Sequence, residues 1–320
     1  MIDHSATAED RGARTPDQNA TGSQSYYGRP IVKAHVWKPY IPLYFWIGGA
    51  AGAASVECVC ARMRGADALA TVEKRAALAG VLVAPALLIA DLGVPLRFIN
   101  MLRVFKLTSP MNVGSWILTA FGGALAASTF AELLGWNRTS RALEVVTAGL
   151  GPVLTVYTAV LVADTATPVW HEAGDTLPFV FAASGVASAG AIGVALAPPE
   201  QSGSARRLMI GGAIGLLAAG AAMENRLGPL LAEPYRTGKG GGFRATSGAL
   251  SAAGIVIGLL GHKNRTATRV AAACVAAACI LERFAVTAAG KQSAQDPKYT
   301  VEPQRARLNA RRNLDPESSG

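Results

Sequence analysis

The sequence is poor in charge, histidine and cysteine. Only 16% of its 320 residues are Asp, Glu, Lys or Arg, and it holds four histidines and four cysteines. Each shortage excludes something. A b-type haem inside a helix bundle commonly takes histidine ligands that project from helices. His4, His35, His171 and His262 fall in a polar tail, ahead of the first apolar run and in loops, so no haem is expected. Cys58, Cys60, Cys274 and Cys279 all lie inside apolar runs, where they read as small buried hydrophobes. Zinc and iron–sulfur sites need cysteine sets at loop spacing, so neither a metal nor an iron–sulfur cluster is expected in this chain. There is no phosphate-binding Lys-Ser/Thr loop, dinucleotide fingerprint, His-Glu-x-x-His helix or serine elbow. The Gly238–Gly242 stretch lacks the required ending and reads as a loop. If the chain takes part in redox chemistry, partner subunits must bring the electrons.

What is abundant is apolar. Hydrophobic residues make up 51% and glycine contributes 35 residues, more than a soluble domain needs and typical of close-packed membrane helices. A spanning helix takes about 20 mostly apolar residues. Candidates lie at 41–61, 75–92, 114–133, 143–164, 177–198, 207–224, 246–261 and 268–289. The expected fold is therefore an all-α integral membrane protein with about eight transmembrane helices, spanning 25–290. Residues 1–24 and 291–320 read as polar tails, irregular at 1–24 and 300–320. Glycines four apart (Gly48 and Gly52, Gly211 and Gly215, Gly254 and Gly258) are expected to let helix backbones approach closely.

Met1–Ser25 has no apolar core and does not read as a secretory signal. Eight spans put both termini on one face, here called the N-face, with the loops at 92–113, 165–176 and 225–245. The opposite loops are short and densely basic, which by the positive-inside rule leans the N-face outward. The net charge of +9 is thus a topology signal. No basic face with interleaved aromatics appears, so nucleic acid is not an expected partner.

Ionisable groups at membrane depth are costly and serve as functional candidates. The N-face collects His35, Tyr40, Asp91, Arg97, Trp116, Asp164, His171, Glu172 and Glu224. Glu57, Glu282 and Arg283 lie deeper, the last two projecting about 100° apart on a helix. Glu132 and Glu144 lie near the opposite face, where plain solvation is expected. A quinone site wants hydrogen-bond donors for two ring oxygens, a proton-exchanging group and an apolar slot. On this reading His35, Tyr40, Asp91, Arg97, Trp116 and His171 bind the ring. Glu57, Asp91, Asp164, Glu172, Glu224, Glu282 and Arg283 handle protons.

Three regions resemble the NrfD family, the membrane subunits of polysulphide-reductase-type molybdopterin oxidoreductase complexes. They are Tyr26-Tyr-Gly-Arg-Pro through Val36-Trp-Lys-Pro-Tyr and Gly52, Asp91-Leu-Gly-Val-Pro-Leu-Arg-Phe through Ser109-Pro-Met-Asn-Val-Gly-Ser-Trp116, and Tyr157 through Trp170-His-Glu172. Val94 stands where the family usually has Arg before the loop proline. The resemblance implies a haem-free pair of four-helix bundles in a bacterial inner membrane. It also implies electron exchange between membrane menaquinone or ubiquinone and a docked ferredoxin-like iron–sulfur subunit that connects to a molybdopterin catalytic subunit. Two other readings stay open on the sequence: a secondary transporter or ion-translocating subunit, and a structural anchor without a quinone site.

Overall fold

The computed structural model describes residues 31–92, 94 and 96–314, with the backbone alone for 96–99 and 311–314. Eleven helices appear among them, and no strand. Eight are long and apolar enough to cross a membrane: α1 (Tyr40–Met63), α2 (Asp67–Leu92), α4 (Pro110–Leu133), α5 (Asn137–Ala163), α7 (Leu177–Leu196), α8 (Gly203–Arg236), α9 (Gly238–Leu260) and α10 (Arg265–Gln295). The short α3 (Leu96–Arg103) and α6 (Pro168–Glu172) lie in N-face loops, and α11 (Lys298–Leu314) follows the last span. The chain is thus an all-α integral membrane protein, as its composition predicts.

The spans form two four-helix bundles. In the first, α1 packs on α2 and α5, and α4 packs on α5. In the second, α7 packs on α8, α8 on α9, and α9 on α10, which returns to α7. Contacts of α1 with α7 and α10, and of α5 with α7, join the two. Small residues make this seam close: a Cβ on Gly185 of α7 would meet Thr155 and the Gly49 carbonyl, while inside the first bundle one on Gly52 of α1 would collide with the carbonyl of Gly151 of α5. Across it, Trp46 Nε1 donates to Ser188 Oγ at 2.9 Å, and within the first bundle Thr155 Oγ1 donates to Gly49 O at 3.3 Å.

Two expectations need correction. The stretch 225–245 is helical: α8 runs to Arg236 and α9 starts at Gly238. Gly228, with φ 70° and ψ 177° just ahead of Pro229, interrupts the helix, so α8 is two helical segments joined at a kink. Residues 291–314 are also largely helical. Asp296 and Pro297 break the run, Asp296 Oδ1 accepts from Lys298 N at 3.0 Å, and α11 restarts the helix. Polar composition suggested irregular chain, but α11 is fastened to the bundle. Lys298 reaches Glu233 at 2.9 Å, Arg307 pairs with Glu172, and Tyr299 is buried. The expected tail at 1–24 lies outside the described residues.

Candidate functional site

The N-face end of the seam between bundles holds a column of aromatic rings. Trp37 stacks on Trp170 at 5.3 Å between centroids and 16° between planes. His35 lies 4.7 Å from each of them. The column continues through Phe45, 5.8 Å from Trp37, to Phe181, 6.2 Å further. It ends on Arg283, whose guanidinium sits 3.5 Å over the Phe181 ring. Trp170 is fully buried, and its Nε1 donates to Val286 O at 2.8 Å. Gly290 leaves room for it, since a Cβ there would collide with the indole.

His35 Nδ1 is buried and has no hydrogen-bond partner among the described residues. Burial, helped by the charge of Lys291, lowers its pKa from 6.5 to about 4. The ring is therefore neutral near pH 7, with one nitrogen able to donate and the other to accept. Its backbone segment is held by Asp91 at the end of α2, whose Oδ1 accepts from Lys38 N at 3.1 Å. The structure thus brings Asp91 and the His35 segment together, as the sequence reading grouped them.

The loop after Asp91 is latched by a residue that the sequence reading passed over. Asn112 Oδ1 accepts from Lys106 N at 2.7 Å, while Nδ2 donates to Met101 O and to Val104 O. Ser109 caps α4 by accepting from Asn112 N, with Pro110 in the first turn. The Ser-Pro-Met-Asn motif is thereby explained as loop architecture. Trp116, partly exposed, packs edge-on to Phe105 at 5.9 Å. Tyr40 is exposed at the start of α1. Arg97 lies in α3, and its side chain falls outside the described residues.

His171 goes elsewhere. The single turn of α6 sends Trp170 inward and leaves His171 exposed. With Glu172 and Arg307, His171 borders two polar cavities under α11, of about 390 and 360 Å³. Asp164 lines the second, and an exposed Asp175–Arg226 pair lines the first. The sequence reading treated His35 and His171 as one cluster. In the structure His35 meets Trp170 of α6, while His171 on the same turn faces the cavities.

The deeper charges sort into two networks. In the second bundle, Arg244 bridges Glu224 and Glu282 at 3.1 Å each, and Ser247 Oγ donates to Glu282 at 3.1 Å. Arg236 also holds Glu224 at 3.1 Å. This network runs inward from the N-face. Glu282 turns to α9 and Arg283 to α7, as their angular separation requires. Arg283 Nη2 donates to Phe181 O at 3.2 Å, and its Nε and Nη1 have no partner.

In the first bundle, Glu144 accepts twice from Arg62, at 2.6 and 2.9 Å, and lies 3.0 Å from Lys74. Lys74 also meets Glu132 and Ser140. Glu144 is 4% exposed, which overturns the expectation that it is solvated. A buried carboxylate needs partners, and two cations come to it. Nearby Glu57 is buried, with one oxygen 3.9 Å from Arg64 and the other unpartnered. Glu73, missed by the sequence reading, is fully buried with neither oxygen partnered, against Gly193 of α7. Its place beside Lys74 and Arg75 disguised it as part of a solvated charge run.

Comparison with curated proteins returned no match. The family described as polysulfide reductase, of the NrfD type, matches residues 23–296. That span covers the eight membrane helices and the loops described above, so this chain belongs to the NrfD-type polysulfide reductase family and is a membrane subunit of an oxidoreductase complex.

Proposed function

We propose that this subunit binds a quinone or quinol, menaquinone or ubiquinone, at the His35–Trp37–Trp170 cluster on the N-face. There it exchanges electrons with a docked ferredoxin-like iron–sulfur subunit that serves a molybdopterin catalytic subunit. The observation that carries this reading is His35: a buried ring nitrogen without a partner, between two indoles. Leaving such a group unsatisfied costs about 1–3 kcal/mol. A quinone oxygen would accept from the neutral imidazole, and the indole faces suit a flat apolar ring.

Roles divide by environment. With its pKa near 4, His35 orients the ring and is not itself the acid. Asp91 is partly exposed beside it and can exchange the proton that a quinone gains or loses on changing redox state. Glu224, Arg244 and Glu282 form a second polar route from the same face. His171, Glu172 and Asp164 border cavities open to the surface and serve exchange with solvent.

The test uses the assembled complex and compares quinone-linked turnover with reduction of a soluble dye. His35→Leu should lower the former at least about tenfold while sparing the latter. Asp91→Asn keeps an acceptor for Lys38 N–H and removes the titrating group, so a comparable loss there assigns Asp91 a proton role. His171→Ala should cost less than either. Full quinone-linked activity in both His35→Leu and Asp91→Asn would leave the anchor reading as the better one.

A further inference from the structure

The face opposite the N-face carries a feature that quinone chemistry does not use. Two cavities adjoin there between α8, α9 and α10. One, of about 270 Å³, is lined by Ser202, Arg206, Lys263, Arg265 and Thr268 among others. The other, of about 380 Å³, is lined by Arg207, Ile210, Gly211, Gly258 and Leu259. Arg206 and His262 border both, so the two share a wall. The first is a cationic cup, and the second continues as an apolar groove down α8 and α9.

We propose that this pair of cavities binds an anionic phospholipid, its phosphate in the cup and an acyl chain in the groove. Charge is the first argument. Among the described residues, none of Arg206, Arg207, Lys263 and Arg265 has a carboxylate within salt-bridge distance. Glu200, which does not line either cavity, is the sole carboxylate in segments 194–211 and 258–268. Arg206 is half-buried and Arg207, Lys263 and Arg265 are exposed, so the four gather at one mouth that no carboxylate lines. The cup thus concentrates positive charge, which attracts an anionic headgroup.

Shape is the second argument. Gly211 belongs to the small-residue pattern expected to bring helices together, yet a Cβ there would meet nothing within 4 Å. Gly211 faces outward and leaves the groove open, while Gly258 of α9 packs on Met209 and Ile210 at its floor. Leu259, which lines the groove, is 55% exposed, and Ile214 and Val256 are exposed further along α8 and α9. A free phosphate or an acidic peptide would fill the cup and leave this apolar groove uncovered. A phospholipid fills both.

The experiment reconstitutes the full chain in nanodiscs of pure phosphatidylcholine or of phosphatidylcholine with phosphatidylglycerol, and measures tightly bound lipid by mass spectrometry after extraction. Wild type should retain phosphatidylglycerol in preference to phosphatidylcholine. Arg206→Gln combined with Arg265→Gln should weaken that preference by more than about tenfold. Gly211→Leu, which fills the groove and leaves every cation in place, should also weaken it. Inorganic phosphate in the buffer should not displace the lipid. Equal retention of both lipids by wild type would overturn the proposal. So would an unchanged preference in the double variant, or displacement by phosphate with Gly211→Leu behaving as wild type, which would mark a free-anion site.

Discussion

The two bundles bury their charges at opposite ends. The first places Arg62, Lys74, Glu132 and Glu144 near the face opposite the N-face, while the second places Glu224, Arg244 and Glu282 toward the N-face. Between them, along the seam, the polar groups without partners among the described residues include His35 Nδ1, the Nε and Nη1 of Arg283, and both oxygens of Glu73 against α7. The difference shows which charges the fold needs and which it leaves available. Glu144 is held by two cations, so it reads as structure. His35 and Arg283 stand at the two ends of an aromatic column with capacity to spare, and spare capacity in a buried group is what a ligand can use.

The comparison breaks first at Glu144. Glu144→Gln removes the one carboxylate that Arg62 and Lys74 share, and should cost about 3–5 kcal/mol. In denaturant or thermal unfolding in detergent, a near-neutral result would mean that the network is solvated after all. Glu282→Gln should cost less, about 1–2 kcal/mol, because Arg244 keeps Glu224. If the two losses were equal, the second network would be as interdependent as the first. Glu73→Gln should be smaller still, within about 1 kcal/mol, since no partner is lost. A loss as large as that for Glu144 would show that Glu73 carries a paired charge.

The pH dependence separates His35 from these carboxylates. Its pKa falls from 6.5 to about 4 on folding, so the unfolded chain takes up the proton first as pH drops. Its contribution to stability is complete above the unfolded value, declines through the interval between the two, and is gone below about 4. Melting temperatures of wild type and His35→Leu should therefore converge across that interval. A constant gap would mean that His35 titrates normally.

Hydropathy made the eight spans legible, because about 20 apolar residues in a row have few other fates in a chain this poor in charge. It misplaced the ends of α2, α8 and α9, where charged residues continue the helix because partners on other helices receive them. Lys74 meets Glu144, Arg244 meets Glu282, and Lys298 meets Glu233. No single-helix pattern records such cross-helix pairs. At the site, the motif around Asp91 was legible and its contact to the His35 segment followed. The division between Trp170 and His171 was not, since one turn of helix decides which of two neighbours is buried. Glu73 and Asn112 were hidden because their importance lies in what surrounds them.

The central claim is that His35 in its aromatic cluster holds the quinone. The most direct measurement is the quinone retained by the purified chain, extracted and quantified for wild type, His35→Leu and His171→Ala. The account predicts near-stoichiometric quinone in wild type and His171→Ala, and loss of most of it in His35→Leu with folding intact. Undiminished quinone in His35→Leu would contradict it.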